Sequence, residues 1–323
     1  MTALGRARYS PQMSDRTEAQ PADPDRIRRI SGISEIADPY DVLICDVWGV
    51  LHDGTVAYRG AGEALRAWRA AGKRVILLSN APRPGASVAE QLLRYGYQAG
   101  PEGHYDQILT SGDATRAAIA GGSYGQKLLH LGPERDAPLI EGLPVSLGSL
   151  DDCEFVLCSG LYDDERETVT DYEDRLQAMA RRGLTMLCAN PDITVMRGSK
   201  TIYCAGALAA RYRELGGEVV YFGKPHPPVY AQCRALARTL MSAPGDKQTP
   251  TPRLLVIGDG LHTDITGAQR AAIDSVLVLG GIHADALGFA DGVDMAAVDP
   301  VALRQVCARA GAIPDAIIGR FVW

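Results

Sequence analysis

The sequence lacks a long apolar run, an excess of basic residues and a secretory signal. Its apolar stretches fall well short of the roughly 20 residues that cross a bilayer. The formal net charge of -6 is not typical of a nucleic-acid-binding protein. Arg6 and Arg8 are not followed by the apolar segment that a secretory signal carries. We therefore expect a cytoplasmic protein that binds neither nucleic acid nor a membrane.

Cysteine and histidine motifs of the common metal sites are also missing. The seven cysteines form no C-x-x-C pair, and the six histidines form no H-x-x-x-H pair. An odd number of cysteines, most of them within apolar runs, favours buried free thiols over a disulfide framework or a zinc site. Apolar residues make up 46% of the 323 residues, which is enough for a sizeable core in one large or two ordinary domains.

The sequence does contain a regular alternation of short apolar runs and segments with helical spacing. This alternation predicts an α/β fold with a parallel sheet. It restarts after the Gly121-Gly122 break, which indicates an inserted second α/β unit. The polar N-terminal stretch predicts a loose arm with a short helical piece near residues 25–30. The predicted organisation is an arm (1–38), a main domain (39–112 and 206–323) and an inserted domain (113–205).

Several apolar runs of the main domain end in polar residues, and these polar residues are the candidate functional residues. They are Asp46, Ser79 with Asn80, the Gly223-Lys224-Pro225 turn, and Asp259, which Asp264 follows closely. The carboxyl ends of parallel strands converge on one edge of a sheet, where open α/β sheets bind their ligands. We therefore expect these side chains to lie close together.

Three carboxyl groups crowded together repel one another unless a cation neutralises them. A hard divalent ion such as Mg²⁺ prefers oxygen ligands from one or two carboxylates, water and substrate phosphate. Lys224 adds a positive charge, and Ser79 and Asn80 add hydrogen-bond donors. This set suits phosphoryl transfer, which depends mainly on positioning and charge neutralisation. Asp46 is the predicted nucleophile, through an aspartyl-phosphate.

The order Asp46, Ser79, Lys224 and Gly258-Asp259-x-x-x-Thr263-Asp264 resembles the haloacid dehalogenase (HAD) superfamily. Asn190-Pro191-Asp192 and Gly206-Ala207-Leu208 further resemble its class IIA, NagD-like branch. The resemblance implies a Rossmann-like parallel core with an inserted α/β cap of the C2 type. It also implies a Mg²⁺-dependent phosphatase for a small phosphorylated metabolite, such as a sugar phosphate or a nucleotide, and is compatible with a homodimer.

The resemblance also implies a role for each matching residue. Asp46, the backbone carbonyl of Trp48, Asp259 and Asp264 would hold the metal ion. Ser79 and Lys224 would hold the phosphate, beside the nucleophile. Asn80, Asn190 and Asp192 would face the substrate, although the last two also fit an ordinary turn. Asp264 equally suits the start of a helix.

Trp48 departs from the family pattern, because phosphatases of the family have an acid/base Asp at that position. A general acid/base contributes about 10²- to 10⁴-fold to a rate. The departure leaves open a slow phosphatase, a substitute proton donor such as His52 or Asp53, cleavage of a C–P or C–halogen bond, or a weakly active protein that binds a phosphorylated ligand. Asp53 better fits a turn residue than an acid.

Overall fold

The structure is a computed structural model that describes residues 27–198, 200–242, 250–289 and 295–323. In chain order, the strands of this part are β1 (Arg28–Ile30), β2 (Val42–Cys45), β3 (Arg74–Ser79), β4 (Gln107–Thr110), β5 (Lys127–Leu131), β6 (Ser146–Leu147), β7 (Phe155–Cys158), β8 (Thr185–Cys188), β9 (Thr194–Arg197), β10 (Lys200–Tyr203), β11 (Val219–Tyr221), β12 (Leu254–Gly258), β13 (Asp274–Val278) and β14 (Ala316–Ile318). The α-helices are α1 (Ala61–Ala70), α2 (Gly85–Arg94), α3 (Ser111–Ala120), α4 (Glu173–Arg181), α5 (Ala205–Glu214), α6 (Pro227–Met241), α7 (Thr266–Arg270) and α8 (Pro300–Ala310).

In the described part of the chain, the strands form two parallel sheets and one antiparallel hairpin. The core sheet has seven strands in the order β1-β14-β13-β12-β2-β3-β4. The cap sheet has five strands in the order β11-β8-β7-β5-β6. Strands β9 and β10 pair with each other as the cap hairpin. The expected α/β fold, with a parallel core sheet and an inserted α/β cap, is confirmed.

Strand β2 shows why the apolar runs predicted the core sheet. Its four residues are all buried, because helices cover both faces of the sheet. Leu43 belongs to the same apolar cluster as Trp68 of α1. Ile44 belongs to the cluster on the other face, with Tyr230 of α6. A continuous apolar run therefore places β2 in the middle of the sheet, with Asp46 directly after it.

The N-terminal expectation is wrong where the structure describes it. Residues 28–30 form an edge strand paired with β14, not a helical piece, and Ile30 and Ile33 are buried in the core. Residues 25 and 26, like most of the predicted arm, lie outside the described residues. A run of three residues is too short to show helical or strand periodicity, and its partner strand lies near the other end of the chain.

The predicted C-terminal boundary of the insertion is also wrong. Strand β11 pairs with β8 in the cap sheet, although the sequence prediction returned residues 206–222 to the main domain. Leu208 and Tyr212 of α5 pack in the same apolar cluster as Leu176 of α4. A strand is recognised in the sequence by its own residues, and these do not reveal which sheet it joins. Residues 242–253, whose proline, glycine and threonine content predicts a loop, lie mostly outside the described residues.

None of the helices in the described part of the chain combines the length and the apolar character that a membrane crossing requires.

Candidate active site

The carboxyl ends of both parallel sheets face one cavity of about 650 Å³. Parallel strands carry their ligand-binding residues at this end, so the cavity receives polar side chains from two sheets at once. Its lining residues include Asp46, Ser79 and Asp259 at strand ends of the core sheet, Ser159 and Asn190 just beyond strands of the cap sheet, and Asp136 in the 3₁₀ helix Glu134–Leu139. The site is therefore built between the two sheets.

Three carboxyl groups meet on the core side of the cavity. Asp46 follows β2 and Asp259 follows the neighbouring strand β12, while Asp264 lies in the helical turn after β12. Each offers an oxygen, and these oxygens lie within 4.8 Å of one another. All three residues are buried. The structure thus brings together the three carboxyl groups that the strand-end argument selected.

The ammonium group of Lys224 lies between two of these carboxyl groups. Its Nζ is 2.5 Å from Asp46 Oδ1 and 2.8 Å from Asp264 Oδ1. Burial alone would lower the pKa of Lys224, but the two carboxylates raise it well above its usual value. Lys224 is therefore a fixed positive charge in contact with the predicted nucleophile.

The ionised forms of Asp46 and Asp259 are disfavoured in this cluster. Burial raises the pKa of both groups, and the nearby carboxylate of Asp264 raises it further. The pKa of Asp259 reaches about 7. Lys224 acts in the opposite direction on both but does not offset these effects. Buried carboxylates that repel one another are the arrangement that a divalent cation stabilises.

Two glycines let the backbone approach Asp259 closely. Gly49 has a φ of +85°, and a Cβ there would lie 2.0 Å from Asp259 Oδ2. A Cβ at Gly281 would lie 2.2 Å from the same oxygen. The next residue, Ile282, donates its N–H to this oxygen at 2.8 Å. The Asp259 carboxyl group is therefore held from both sides by main chain that has no room for a side chain.

Asn80 connects Lys224 to Asp192 on the cap side. Its Oδ1 accepts the N–H of Lys224 at 2.8 Å, and its Nδ2 donates to Asp192 Oδ1 at 2.8 Å. Gly223 has a φ of +95°, and a Cβ there would lie 2.5 Å from Asn80 Oδ1. These bonds fix the turn that presents Lys224. Asn80 and Asp192, predicted to face the substrate, both line the cavity but also bind each other.

Asn190, Pro191 and Asp192 form a compact turn after β8. Asn190 Oδ1 accepts the N–H of Asp192 at 3.0 Å, and the N–H of Gly206 donates to Asp192 O at 3.1 Å. A Cβ at Gly206 would lie 2.3 Å from the carbonyl oxygen of Pro191. The two class IIA motifs therefore pack against each other, and the ordinary-turn interpretation holds for their local geometry. Ser79 lines the cavity, and its hydroxyl accepts the N–H of Ala81 at 3.1 Å.

The side chain of Trp48 connects the loop after β2, which contains Asp46, to the cap hairpin. Its indole Nε1 donates to Met196 O of β9 at 2.5 Å. Its ring meets His52 edge-on at 5.2 Å, and His52 stacks on Tyr95 at 4.4 Å. The side chain is thus a partly buried cavity wall that joins core and cap.

The two residues proposed as substitute acids are poorly suited to that role. Burial lowers the pKa of His52 to about 4, so its imidazole is neutral at pH 7. Asp53 Oδ1 accepts hydrogen bonds from Thr55 N, Thr55 Oγ1 and Val56 N. Burial alone would raise the pKa of Asp53, but these hydrogen bonds lower it. Asp53 is therefore a turn residue that is ionised at neutral pH.

The comparisons with known proteins point to one family. The model of haloacid dehalogenase-like hydrolases matches residues 43–144, and a HAD-hydrolase-like model matches residues 221–300. A haloacid dehalogenase-like hydrolase from Brucella suis 1330 has a TM-score of 0.76 and 38% identity, over 91% of this chain and 100% of that chain. The chain belongs to the haloacid dehalogenase-like hydrolases.

Two further relatives lie within the same family. The ribonucleotide monophosphatase NagD of Escherichia coli K12 is 25% identical over 244 residues, which are 74% of this chain and 88% of NagD. A glycerol phosphate phosphatase from Mycobacterium tuberculosis, solved in complex with magnesium, has a TM-score of 0.58 and 25% identity, over 84% of this chain and 78% of that chain. The resemblance to NagD-like hydrolases is thus confirmed, and the chain is a hydrolase.

Several polar residues on the cap side of the cavity were not predicted from the sequence. They include Arg83 in the loop before α2, Asp136 in the 3₁₀ helix Glu134–Leu139 and Ser159 directly after β7. Ser159 ends an apolar run, which is the same local signal that predicts Asp46 and Asp259. Asp136 lies five residues beyond the end of β5, so no strand end indicates it.

Proposed function

We propose that this HAD hydrolase is a Mg²⁺-dependent phosphatase that acts on a small phosphorylated metabolite, such as a sugar phosphate or a nucleotide. One observation carries the proposal: the carboxyl group of Asp46 contacts the ammonium group of Lys224 within a cluster of three buried carboxyl groups. The names of NagD and of the mycobacterial relative, both phosphatases, support it.

The donor set of the core side fits a magnesium ion. Carboxylate oxygens of Asp46, Asp259 and Asp264 lie close enough to share one ion, and Mg²⁺ favours such oxygen ligands. The backbone carbonyl of Trp48 is a fourth proposed ligand. When bound, the ion would neutralise the charge of the carboxylates and of a substrate phosphate. Lys224 would balance part of the same charge, because it already contacts Asp46 and Asp264.

The chain's own residues account for the covalent steps. A carboxylate oxygen of Asp46 attacks phosphorus and forms an acyl phosphate, while the P–O bond to the leaving group breaks. Water then attacks that phosphorus, and inorganic phosphate leaves as the Asp46 carboxylate is restored. Lys224 and the Ser79 hydroxyl hold the phosphate oxygens, and Asn80 fixes the turn that carries Lys224.

The leaving alcohol must take up a proton, and Trp48 cannot donate one as an Asp would. We therefore expect turnover to depend strongly on the basicity of the leaving group, since a good leaving group departs without a general acid. We also propose that the cap sheet and the cap hairpin form a cap domain that encloses the substrate. The bond between Trp48 and Met196 would then help to close the cavity.

The test is the release of p-nitrophenol from p-nitrophenyl phosphate, with and without Mg²⁺. Chelation of the metal and the substitution Asp46→Asn should each abolish turnover. The matched control is Asp174→Asn on the exposed side of α4, which makes the same chemical change away from the cavity. Undiminished turnover by the Asp46→Asn variant, or full activity in the presence of a chelator, would overturn the proposal.

A further inference from the structure

A charged pair lies on the cap side of the same cavity. Asp136 lies in the short 3₁₀ helix Glu134–Leu139 that follows β5, and Arg83 in the loop between β3 and α2. Arg83 Nε is 4.0 Å from Asp136 Oδ1, which is longer than a hydrogen bond. Arg83 Nη2 donates instead to Gln91 Oε1 at 2.9 Å, which anchors one end of the guanidinium group. The cavity wall therefore presents a carboxyl group and a guanidinium group side by side.

Neither charge of this pair is well compensated. Asp136 is only 3% exposed, and burial raises its pKa to about 6 although the Ser159 hydroxyl, Arg83 and Arg135 act to lower it. Burial likewise lowers the pKa of Arg83. Buried charges are costly unless they are paired and hydrogen-bonded. Such groups at a cavity wall are typical of a binding site, where a ligand completes their hydrogen bonds.

The other cationic groups on this wall already have anionic partners. Arg135 and Arg197 contact Asp164 at 2.5 and 3.0 Å, and Arg197 contacts Glu165 at 2.6 Å. Among the described cap-side residues that line the cavity, three guanidinium groups therefore face three carboxyl groups, Asp136, Asp164 and Asp192. A wall with balanced charge gives no net attraction for a second phosphate or for a carboxylate on the substrate.

A hydroxyl group fits the pair because it can donate and accept at the same time. It can donate to Asp136 and accept from Arg83. We propose that Arg83 and Asp136 bind hydroxyl groups of the leaving group, so that the preferred substrate is a phosphate monoester of a neutral polyhydroxy alcohol. This inference rests on the proposed phosphatase function and assigns its leaving-group subsite.

The test compares substrates that differ in hydroxyl groups alone. Phosphate monoesters of three-, four- and five-carbon polyols are each matched with the straight-chain alkyl phosphate of equal length, and kcat/KM is measured at fixed Mg²⁺. The wild-type ratio of polyol to alkyl ester should be about 10- to 10²-fold, the range for a hydrogen bond to a charged group. Asp136→Asn and Arg83→Gln should each bring this ratio close to one.

Two further measurements keep the test decisive. Asp174→Asn is the control for charge removal in the cap and should keep the wild-type ratio. If Asp136→Asn does not fold, Arg83→Gln decides, because the backbone carbonyl of Arg83, and not its side chain, accepts the Thr110 hydroxyl. A three-carbon phosphorylated acid, 3-phosphoglycerate, tests the charge argument and should be a poorer substrate than glycerol 3-phosphate.

The outcomes separate this inference from the proposed function. Phosphate release with an unchanged polyol-to-alkyl ratio in the variants overturns the subsite alone. A preference for 3-phosphoglycerate over glycerol 3-phosphate overturns the neutral substrate class. No release from any ester, including p-nitrophenyl phosphate, overturns the phosphatase function and this inference together.

Discussion

The two walls of the cavity have the same architecture but differ in charge. Each wall is the carboxyl edge of a parallel sheet, where strand ends place polar side chains. On the core wall, a cluster of three carboxyl groups is accompanied by one ammonium group, Lys224, which contacts two of them, so negative charge is in excess in this cluster. On the cap wall, the guanidinium and carboxyl groups that line the cavity are equal in number. The core wall is therefore suited to bind a cation and a phosphate group. The cap wall is suited to bind a neutral polar group.

The largest expected effect is the loss of the cation from the core wall. Lys224→Met should lower the free energy of unfolding by about 3 to 5 kcal/mol in the presence of a chelator, because removing one partner leaves buried carboxylates uncompensated. Added Mg²⁺ should recover part of this loss, since it binds the folded state alone. Denaturant titration with and without Mg²⁺ measures both effects.

The control for this variant is Lys200→Met in the cap hairpin. Lys200 forms a half-exposed ion pair with Glu165, and such pairs are worth about 0 to 1 kcal/mol. If Lys224→Met costs no more than Lys200→Met, the core wall does not carry the excess of buried negative charge that distinguishes it from the cap wall.

A smaller effect is expected on the cap wall, where it should depend on pH. The pKa of Asp136 is raised from 3.8 to about 6 in the folded protein, so folding favours the protonated carboxyl group. The wild type should therefore lose stability relative to Asp136→Asn as the pH rises from 5 to 7.5. Linkage gives about 1 kcal/mol over this range. Denaturant titrations at several pH values measure the difference.

The pKa of Asp136 depends on three charged residues and one hydroxyl group around it. Arg83 and Arg135 act to lower the pKa of Asp136, as does the Ser159 hydroxyl, while Asp164 acts to raise it. Asp174→Asn supplies the baseline for loss of a carboxyl group from the cap. A stability difference between the wild type and Asp136→Asn that stays flat, or that changes in the opposite direction, would contradict the cost of burying the ionised Asp136 on the cap wall.

The smallest effect concerns the bond that joins the two walls. Trp48→Phe keeps an aromatic ring but removes the N–H that donates to Met196 O, which should cost about 0.5 to 1.5 kcal/mol. The matched control is Trp68→Phe, which removes a comparable bond from Trp68 Nε1 to Arg74 O within the core. Both variants should lose stability, but protease cleavage within the cap hairpin should increase for Trp48→Phe alone. Equal cleavage of the two variants would contradict the prediction that the bond from Trp48 to Met196 holds the cap hairpin against the core.

The sequence predicted the core wall because its signals are local. Asp46, Ser79 and Asp259 each end an apolar run, and that run fixes both the strand and the edge at which the side chain lies. The family resemblance supplied the roles of Trp48 and Asp264, which spacing alone could not assign.

The remaining features depend on pairing between distant segments. The composition of residues 218–222 indicates a strand but does not reveal its cap-sheet partner β8, and the cap hairpin was not predicted from the sequence. Arg83 meets Asp136 because the core and the cap are packed together, and no spacing along the chain encodes that contact. Charge balance on the cap wall likewise appears only when its ion pairs are known.

The most direct test of the account asks where the phosphoryl group is transferred. The enzyme is quenched in acid during turnover of a phosphate ester with Mg²⁺, and its peptides are analysed by mass spectrometry. A phosphoryl group on the peptide that contains Asp46, absent from the Asp46→Asn variant, is the predicted result. Phosphate release at the wild-type rate by Asp46→Asn, or a phosphoryl group trapped on a different residue, would contradict the account.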